Sequence, residues 1–175
     1  VTGLLNEYPH HHASDAIEEI GISDRPMGWH LDGHDDGYRN LGNPIPLLQL
    51  KIGYYLSDMS NPGQGNLCVV PGSHKACHRP EEADLASTDL FAGAIEVCGP
   101  PGTAILFHNA LWHSAGPRTR EQGRRIMLYY AYEHPWMVAS QEHWGYDQAF
   151  YNKLAPNRHS LFHGFVFDPP ENRWR

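Results

Sequence analysis

A histidine and an aspartate two residues apart, His30 and Asp32, have the residue types and the spacing to bind a metal ion. If residues 25–32 form a strand, side chains two apart point to the same face of the sheet. One imidazole and one carboxylate would then meet on a single cation. With a second histidine from elsewhere in the chain, they would form the two-His-one-carboxylate set that leaves coordination positions open in non-haem Fe(II) oxygenases.

A second pair of the same kind, His34 and Asp36, follows immediately in the sequence HDDG. This pair lies inside a glycine-rich turn, whose backbone would hold two metal ligands poorly. We therefore favour His30 and Asp32 as ligands. The alternative for them is a histidine at a strand end that is hydrogen-bonded to a turn carboxylate.

The third ligand is expected from the segment LFHNALWHSAGPR, which contains His108 and His113. His113 stands just before Gly116-Pro117, at the edge of a predicted strand that faces the mouth of the fold. His108 ends the apolar run 104–107 and is expected to be buried and hydrogen-bonded. We therefore choose His113 over His108.

Two arginines, Arg124 and Arg125, follow His113 at a distance of eleven and twelve residues. In the predicted strand RIMLYYAY they point to opposite faces. An oxygenase of this kind needs an electron donor that chelates iron. 2-Oxoglutarate does so through its 2-oxo acid end, and its distal carboxylate needs a bidentate guanidinium partner. We assign that role to Arg124 and expect Arg125 to form a surface salt bridge.

The composition sets limits on fold and partners. The chain has 175 residues, 41% hydrophobic and 19% charged, which fits one globular domain over residues 1–175. A net charge of −7 argues against nucleic acid or an anionic membrane as a partner and leaves a small-molecule substrate. No apolar run approaches the ~18 residues of a membrane span, and no signal peptide opens the sequence. The sequence does not indicate an oligomeric state.

The cysteines indicate a compartment. Cys68, Cys77 and Cys98 are odd in number and share no CxxC spacing. They are typical of reduced thiols rather than of a disulfide framework or a zinc site, and they predict a cytoplasmic protein.

Short strand candidates, separated by turns, predict an all-β core with flanking helices, in the form of a jelly roll. Two facing sheets leave a cavity in which ligands from distant parts of the chain can meet. The strand candidates are 25–32, 47–57, 67–70, 94–98, 103–107 and 125–132, with Leu48, Leu50, Ile52 and Tyr54 on one side of the second.

The sequence predicts less regular structure near its two ends. A short helix is predicted from Ser14 or Asp15 to Ile20, closed by Gly21. The run 10–12, three histidines, could bind a metal but is better explained as an exposed loop. Another helix is predicted near residues 146–154.

Four motifs taken in order resemble the phytanoyl-CoA dioxygenase family of Fe(II)/2-oxoglutarate oxygenases. They are WHLDG, then YYLSD with GQGNLCVVPGSHK, then HSAGP, then GRRIMLYYAY, and together they extend over residues 29–132. The resemblance implies the double-stranded β-helix, a cupin-like jelly roll. It also implies that His30, Asp32 and His113 bind the iron and that Arg124 binds the cosubstrate carboxylate.

The same resemblance raises further expectations about the cosubstrate site. The family often has a hydroxyl residue two positions after the distal histidine, where this chain has Ala115, with Ser114 one position earlier. A position on the strand after the metal-binding loop, often aromatic in the family, falls near Lys51. Ser114 and Lys51 are therefore candidates for contact with 2-oxoglutarate. Only 29 residues precede His30, so part of the N-terminal region is expected to lie outside this sequence.

The implied reaction is hydroxylation of an unactivated C–H bond, with O2 consumed and succinate and CO2 released. Halogenases of the superfamily lack the carboxylate ligand, and Asp32 fills that position here. Two alternatives stay open. A cupin-like metalloenzyme would use the metal without 2-oxoglutarate, and a jelly-roll binding module would have no metal-dependent chemistry.

Overall fold

A computed structural model describes residues 1–5, 9–23, 27–32, 41–42, 44–76, 81, 91–119, 124–137, 146–162 and 166–167. Two helices and ten strands are defined within these ranges. In chain order they are α1 (Thr2–Leu5), β1 (His10–Ile20), β2 (Met27–His30), β3 (Gln49–Tyr55), β4 (Leu67–Val69), β5 (Ile95–Val97), β6 (Ala104–His108), β7 (His113–Ala115), β8 (Arg124–Glu133), β9 (Tyr146–Asp147), α2 (Gln148–Lys153) and β10 (Val166–Phe167). Short 3-10 turns cover Ser73–Lys75 and Pro156–Phe162.

Eight of the described strands form two four-stranded sheets. The major sheet has the order β1-β8-β3-β6, and the minor sheet has the order β2-β7-β4-β5. Every pairing within these two sheets is antiparallel. Neighbours in each sheet are distant in sequence, which is the connectivity of a jelly roll. The predicted double-stranded β-helix is confirmed, and β9 and β10 form a separate parallel pair.

The hydrophobic core lies between the two sheets. Tyr55 of β3 is fully buried, and its hydroxyl donates to the Val97 carbonyl at 2.6 Å and accepts from the Leu67 amide at 2.9 Å. Because Val97 and Leu67 belong to β5 and β4, this one side chain joins the major sheet to the minor sheet. The buried cluster around it consists of Met59, Leu67, Val69, Phe107 and Met127.

All six predicted strands are found within a few residues of their expected bounds, as β2, β3, β4, β5, β6 and β8. The prediction for β3 missed one feature. Leu50 and Ile52 are buried on one face while Tyr55 is buried on the other. A central strand covered on both faces needs apolar residues at consecutive positions, so an alternating pattern describes only half of it.

The predicted helix over residues 14–20 is wrong, and so is the exposed loop at residues 10–12. The segment His10–Ile20 is one strand, paired residue by residue with β8, and both His10 and His11 are buried. Ten cross-strand pairs outweigh a weak local preference for a cap at Ser14. β1 is the edge of the major sheet, and charged Glu18 and Glu19 lie near its end.

A buried carboxylate explains why the histidines at the start of β1 fold inward. Glu133 of β8 lies opposite His10, with Oε1 at 3.2 Å from His10 Nδ1 and Oε2 at 2.8 Å from His12 Nδ1. Gln49 donates to the same carboxylate at 3.3 Å. Burial alone would raise the pKa of Glu133, but the hydrogen bonds and charges of His10 and His12 outweigh it and lower the pKa to about 2.

Neighbouring His11 makes the fold sensitive to acid. Burial, followed by the charges of His10 and His12, lowers the pKa of His11 from 6.5 to about 4. Unfolding therefore takes up a proton between these two pH values, and the free energy of unfolding falls as pH is lowered through them. We expect denaturant titration of the metal-free protein to lose about 2 kcal/mol between pH ~7.5 and pH ~5 through His11. In His11→Phe that part of the loss should disappear, and an unchanged loss would contradict the assignment.

Within the described part of the chain, no helix is both long enough and apolar enough to cross a membrane.

Candidate metal centre

His30 ends β2 and lies at the open end of the fold. Its side chain is exposed, and its Nδ1 lies 2.8 Å from the carbonyl oxygen of Gly28. A carbonyl oxygen can only accept, so Nδ1 carries the proton and Nε2 keeps its lone pair. His30 therefore presents Nε2 as a ligand.

His113 begins β7 and reaches the same place from the neighbouring strand. The two strands pair so that His30 and His113 are opposite each other, with ring centroids 4.2 Å apart. The Nδ1 atom of His113 lies 2.8 Å from the carbonyl of Leu111, which again leaves Nε2 as the free nitrogen. A backbone carbonyl behind each ring fixes its tautomer and its direction, as in many metal sites.

Asp32 follows the end of β2 and completes the group. Its amide donates to the carbonyl of Asn109 at 2.8 Å, and its Oδ2 lies 3.6 Å from His113 Nε2. This oxygen is buried and has no hydrogen-bond partner among the described residues. Ligand atoms of His30, Asp32 and His113 all lie within 4.8 Å of one another. Within the described ranges, this is the group of histidine, cysteine and acidic side chains that could hold a metal ion.

The protonation of His113 suits a metal ligand. Burial is the largest influence and, with the charge of His30, outweighs the attraction of Asp32, so the pKa of His113 falls to about 4. The imidazole is therefore neutral near pH 7, with a free lone pair on Nε2. Two imidazole nitrogens and one orphaned carboxylate oxygen fit a divalent cation, since a cation would satisfy a buried oxygen that otherwise loses its hydration.

His108, the histidine that competed with His113, does not join this group. The rings of His108 and His74 are tilted by 35° with centroids 5.3 Å apart, and His108 Nδ1 accepts from the amide of Ala110. Burial, followed by the charge of His74, lowers the pKa of His108. The pair His34 and Asp36 lies outside the described residues.

A buried amide that the sequence analysis missed positions Asp32. Asn109 is fully buried, and its Oδ1 accepts from the amides of Leu48 and Gln49 at 3.2 and 3.3 Å. Its own carbonyl accepts from the Asp32 amide, so β3 and the residues after β2 are fixed to one another through Asn109. The sequence signal was an asparagine directly after the end of β6, because an asparagine in a turn often hydrogen-bonds to nearby backbone groups.

The two arginines of β8 have the opposite placement to the one expected. The side chain of Arg124 is 64% exposed and pairs with Glu18 on the outer face of the sheet. Arg125 is 2% exposed and faces the inside, where it donates to the Gly65 carbonyl at 2.6 Å and reaches the Tyr129 hydroxyl at 3.4 Å. The expectation that Arg125 forms a surface salt bridge is therefore wrong, because its strand position points it into the core.

Arg125 shares its carboxylate partner with a second arginine. Glu19 accepts from Arg125 at 2.8 Å and lies 3.0 Å from Arg118, so two guanidinium groups share one carboxylate. Gly65 allows this crowding, since a Cβ at that residue would lie 2.7 Å from Arg125 Cδ. In this group of described residues two guanidinium groups contact one carboxylate, an arrangement that suits a second anion.

Lys51 and Ser114, the two other candidates for contact with 2-oxoglutarate, differ in where their side chains lie. Lys51 of β3 donates from Nζ to Asp32 Oδ1 at 2.8 Å and lies 5.8 Å from the centre of the Tyr129 ring, inside the fold. Ser114 is buried and donates to the Ala115 carbonyl at 3.1 Å. Because neighbours in a strand alternate, Ser114 points away from the face that carries His113. The structure brings Lys51 to the candidate ligands and does not bring Ser114 there.

A jelly roll that carries two histidines and one carboxylate at its open end has the arrangement of the non-haem Fe(II) oxygenases. Residues 16–126 match the phytanoyl-CoA dioxygenase (PhyH) family, and the chain belongs to that family. The comparison with curated proteins gave no match.

Similar solved structures are oxygenases or carry 2-oxoglutarate. The apo non-haem monooxygenase ThoJ has a TM-score of 0.60 and 20% identity over 80% of this chain and 52% of its own. EctD from S. alaskensis, with 2-oxoglutarate and 5-hydroxyectoine, has a TM-score of 0.57 and 26% identity over 76% of this chain and 47% of its own. HygX from Streptomyces hygroscopicus, with nickel, 2-oxoglutarate and hygromycin B, has a TM-score of 0.63 and 17% identity over 95% of this chain and 68% of its own. The chain thus spans about half the length of ThoJ and EctD.

Proposed function

We propose that the protein is an Fe(II)- and 2-oxoglutarate-dependent dioxygenase that hydroxylates an unactivated C–H bond of a small molecule. The observation that carries the proposal is the grouping of His30, Asp32 and His113, whose candidate ligand atoms all lie within 4.8 Å of one another and include a buried carboxylate oxygen without a hydrogen-bond partner among the described residues. Membership of the PhyH family and the 2-oxoglutarate present in the EctD and HygX structures support the choice of cosubstrate.

The residues of this chain have separate tasks in that reaction. His30 and His113 would hold iron through Nε2, and Asp32 would hold it through Oδ2. Iron with bound 2-oxoglutarate and O2 supplies the oxidation, in which one oxygen atom enters the substrate C–H bond and the other enters succinate, with release of CO2. The carbonyls of Gly28 and Leu111 keep both imidazoles in the ligating tautomer, and the exposed side of His30 leaves one approach to the site open.

Arg125, rather than Arg124, is proposed to bind the distal carboxylate of 2-oxoglutarate. Its burial, the second guanidinium of Arg118 on the Glu19 carboxylate that it contacts, and its contact with Tyr129 support this role. The Tyr129 ring extends from Arg125 towards Lys51, which contacts Asp32, so these side chains form a path between the two ends of a bound dicarboxylate. Arg124 would then contribute only an exposed ion pair, which has little effect on stability.

The test is anaerobic titration of the purified protein with Fe(II) and 2-oxoglutarate while visible absorption is recorded. A weak charge-transfer band that needs both components is expected, because it arises only when the 2-oxo acid chelates the bound iron. Succinate in place of 2-oxoglutarate is the matched control and should give no band.

Two other results would favour the alternatives. Bound iron without the band would favour a cupin-like metalloenzyme that does not use 2-oxoglutarate. No bound metal at all would contradict the proposed ligand set and would favour a binding module without metal-dependent chemistry.

We further propose one catalytic domain over residues 1–175 in a cytoplasmic protein. The family match across both sheets supports the single domain, and the free thiols of Cys68 and Cys98 support the compartment.

A further inference from the structure

The two carboxylate oxygens of Asp32 have different environments. Oδ1 accepts from the Lys51 ammonium at 2.8 Å, while Oδ2 is buried, without a hydrogen-bond partner in the described part of the chain. Oδ2 is also the oxygen that lies 3.6 Å from His113 Nε2. One oxygen is therefore held by a cation of the protein, and the other is directed at the candidate metal position.

The backbone of Lys51 lies in the middle of the major sheet. It belongs to β3, a central strand, and is paired with Phe107 of β6 on one side and Ala131 of β8 on the other. Its side chain is 19% exposed, and its ammonium lies over the Tyr129 ring at 5.8 Å. Asp32 lies past the end of β2, so Lys51 contacts its carboxylate from a strand that is paired on both sides.

The rotation of that carboxylate has a chemical consequence. A carboxylate can bind a metal ion through one oxygen or through both. In an octahedral site with two histidines, single-oxygen binding leaves about three positions open, two for a 2-oxo acid and one for O2. Binding through both oxygens would take one of these positions.

We propose that Lys51 is a positioning residue that restricts Asp32 to coordination through Oδ2 and so keeps the third position open. The inference rests on the proposed function, since it needs a metal ion at His30, Asp32 and His113. It differs from the expectation that Lys51 contacts 2-oxoglutarate, because the restriction acts before any cosubstrate binds.

The test counts water molecules on Mn(II) in the absence of 2-oxoglutarate, by the water-proton relaxation rate of the loaded protein. The wild type should retain about three exchangeable inner-sphere waters. In Lys51→Met, a side chain of similar length without a donor, Asp32 can bind through both oxygens, and the count should fall to about two. Lys51→Arg keeps a donor to Oδ1 and should give the wild-type count. Lys153→Met, an exposed lysine of α2, is the control for loss of one positive charge.

An equal water count in the wild type and in Lys51→Met, each with one bound Mn(II), would overturn the inference. If Lys51 served only the cosubstrate, this variant would keep the count and lose only 2-oxoglutarate affinity. Loss of Mn(II) from Lys51→Met with retention in Lys51→Arg would support the role, because a donor to Oδ1 would then restore a ligating Asp32. A wild type that binds no Mn(II) would instead contradict the proposed function itself.

Discussion

Replacement of His113 by glutamine is expected to weaken binding of Fe(II) or Mn(II) by about 100-fold or more and to abolish turnover. Loss of a hydrogen-bonded neighbour of a ligand already costs 10- to 100-fold in many metal sites, so loss of a direct ligand should reach or exceed that range. Glutamine retains most of the volume of the buried ring, which packs against Phe107 with centroids 4.8 Å apart. Anaerobic calorimetric titration with Mn(II) measures the change.

His108 provides the matched control, because it lies five residues away in the same segment of the chain. Its ring contacts His74 and lies outside the group of candidate ligands. His108→Gln should therefore bind metal with an affinity within about threefold of the wild type, well below the effect of losing a ligand. The reverse pattern, with His108→Gln defective and His113→Gln normal, would show that the ligand was assigned to the wrong histidine.

Asp32→Ala should lose metal binding and turnover as His113→Gln does, but for a different reason. The variant removes the negative charge of the site and leaves the Lys51 ammonium beside the two imidazoles. A cation would then meet net repulsion instead of attraction. Thermal melting of both variants distinguishes lost metal binding from a lost fold, and full activity in Asp32→Ala would rule out this carboxylate as a ligand.

The strand-rich architecture and the three candidate ligands could be predicted from the sequence because each depends on short-range pattern. His30 and Asp32 are separated by one residue, and His113 stands just before a Gly-Pro turn. Such signals can be recognised without knowledge of the whole fold, since a strand end and a turn fix the local direction of a side chain.

Features that depend on pairing between distant segments could not be predicted in the same way. The N-terminal strand gains its register from β8, more than one hundred residues away, and its local sequence favours a helix cap instead. The contacts of the Glu133 carboxylate with His10 and His12 likewise form only when the two distant strands pair. A single sequence offers no signal for such partners.

The expected directions of Arg124 and Arg125 were wrong for a related reason. Counting residues from His113 selects Arg124, whereas the inward direction depends on how the chain enters β8, and a shift of one residue exchanges the two faces. Pairing fixes the register, with Glu19 opposite Arg125 and Glu18 opposite Ile126. The burial of Met127 and Ala131 on the same face as Arg125 agrees with that register.

Replacement of Arg125 by glutamine is expected to raise the dissociation constant for 2-oxoglutarate by about 100-fold, with metal affinity little changed. A bidentate pair between a guanidinium and a carboxylate in a buried site contributes on the order of 2–3 kcal/mol, and 1.4 kcal/mol corresponds to a factor of ten. The charge-transfer band in the anaerobic titration with Fe(II) gives the dissociation constant directly. Arg125→Lys, which keeps the charge but not the fork of donors, should fall between the wild type and the glutamine variant.

Arg124→Gln is the matched control, since it removes the same group one residue away on the exposed face of the same strand. It should leave the dissociation constant within about twofold of the wild type, because an exposed ion pair contributes little. Arg125 also holds Glu19 and the Gly65 carbonyl, so a melting curve must accompany each variant. If Arg124→Gln lost 2-oxoglutarate and Arg125→Gln bound it normally, the spacing from His113 would be the better guide, and β8 would enter the sheet one residue out of the register described here.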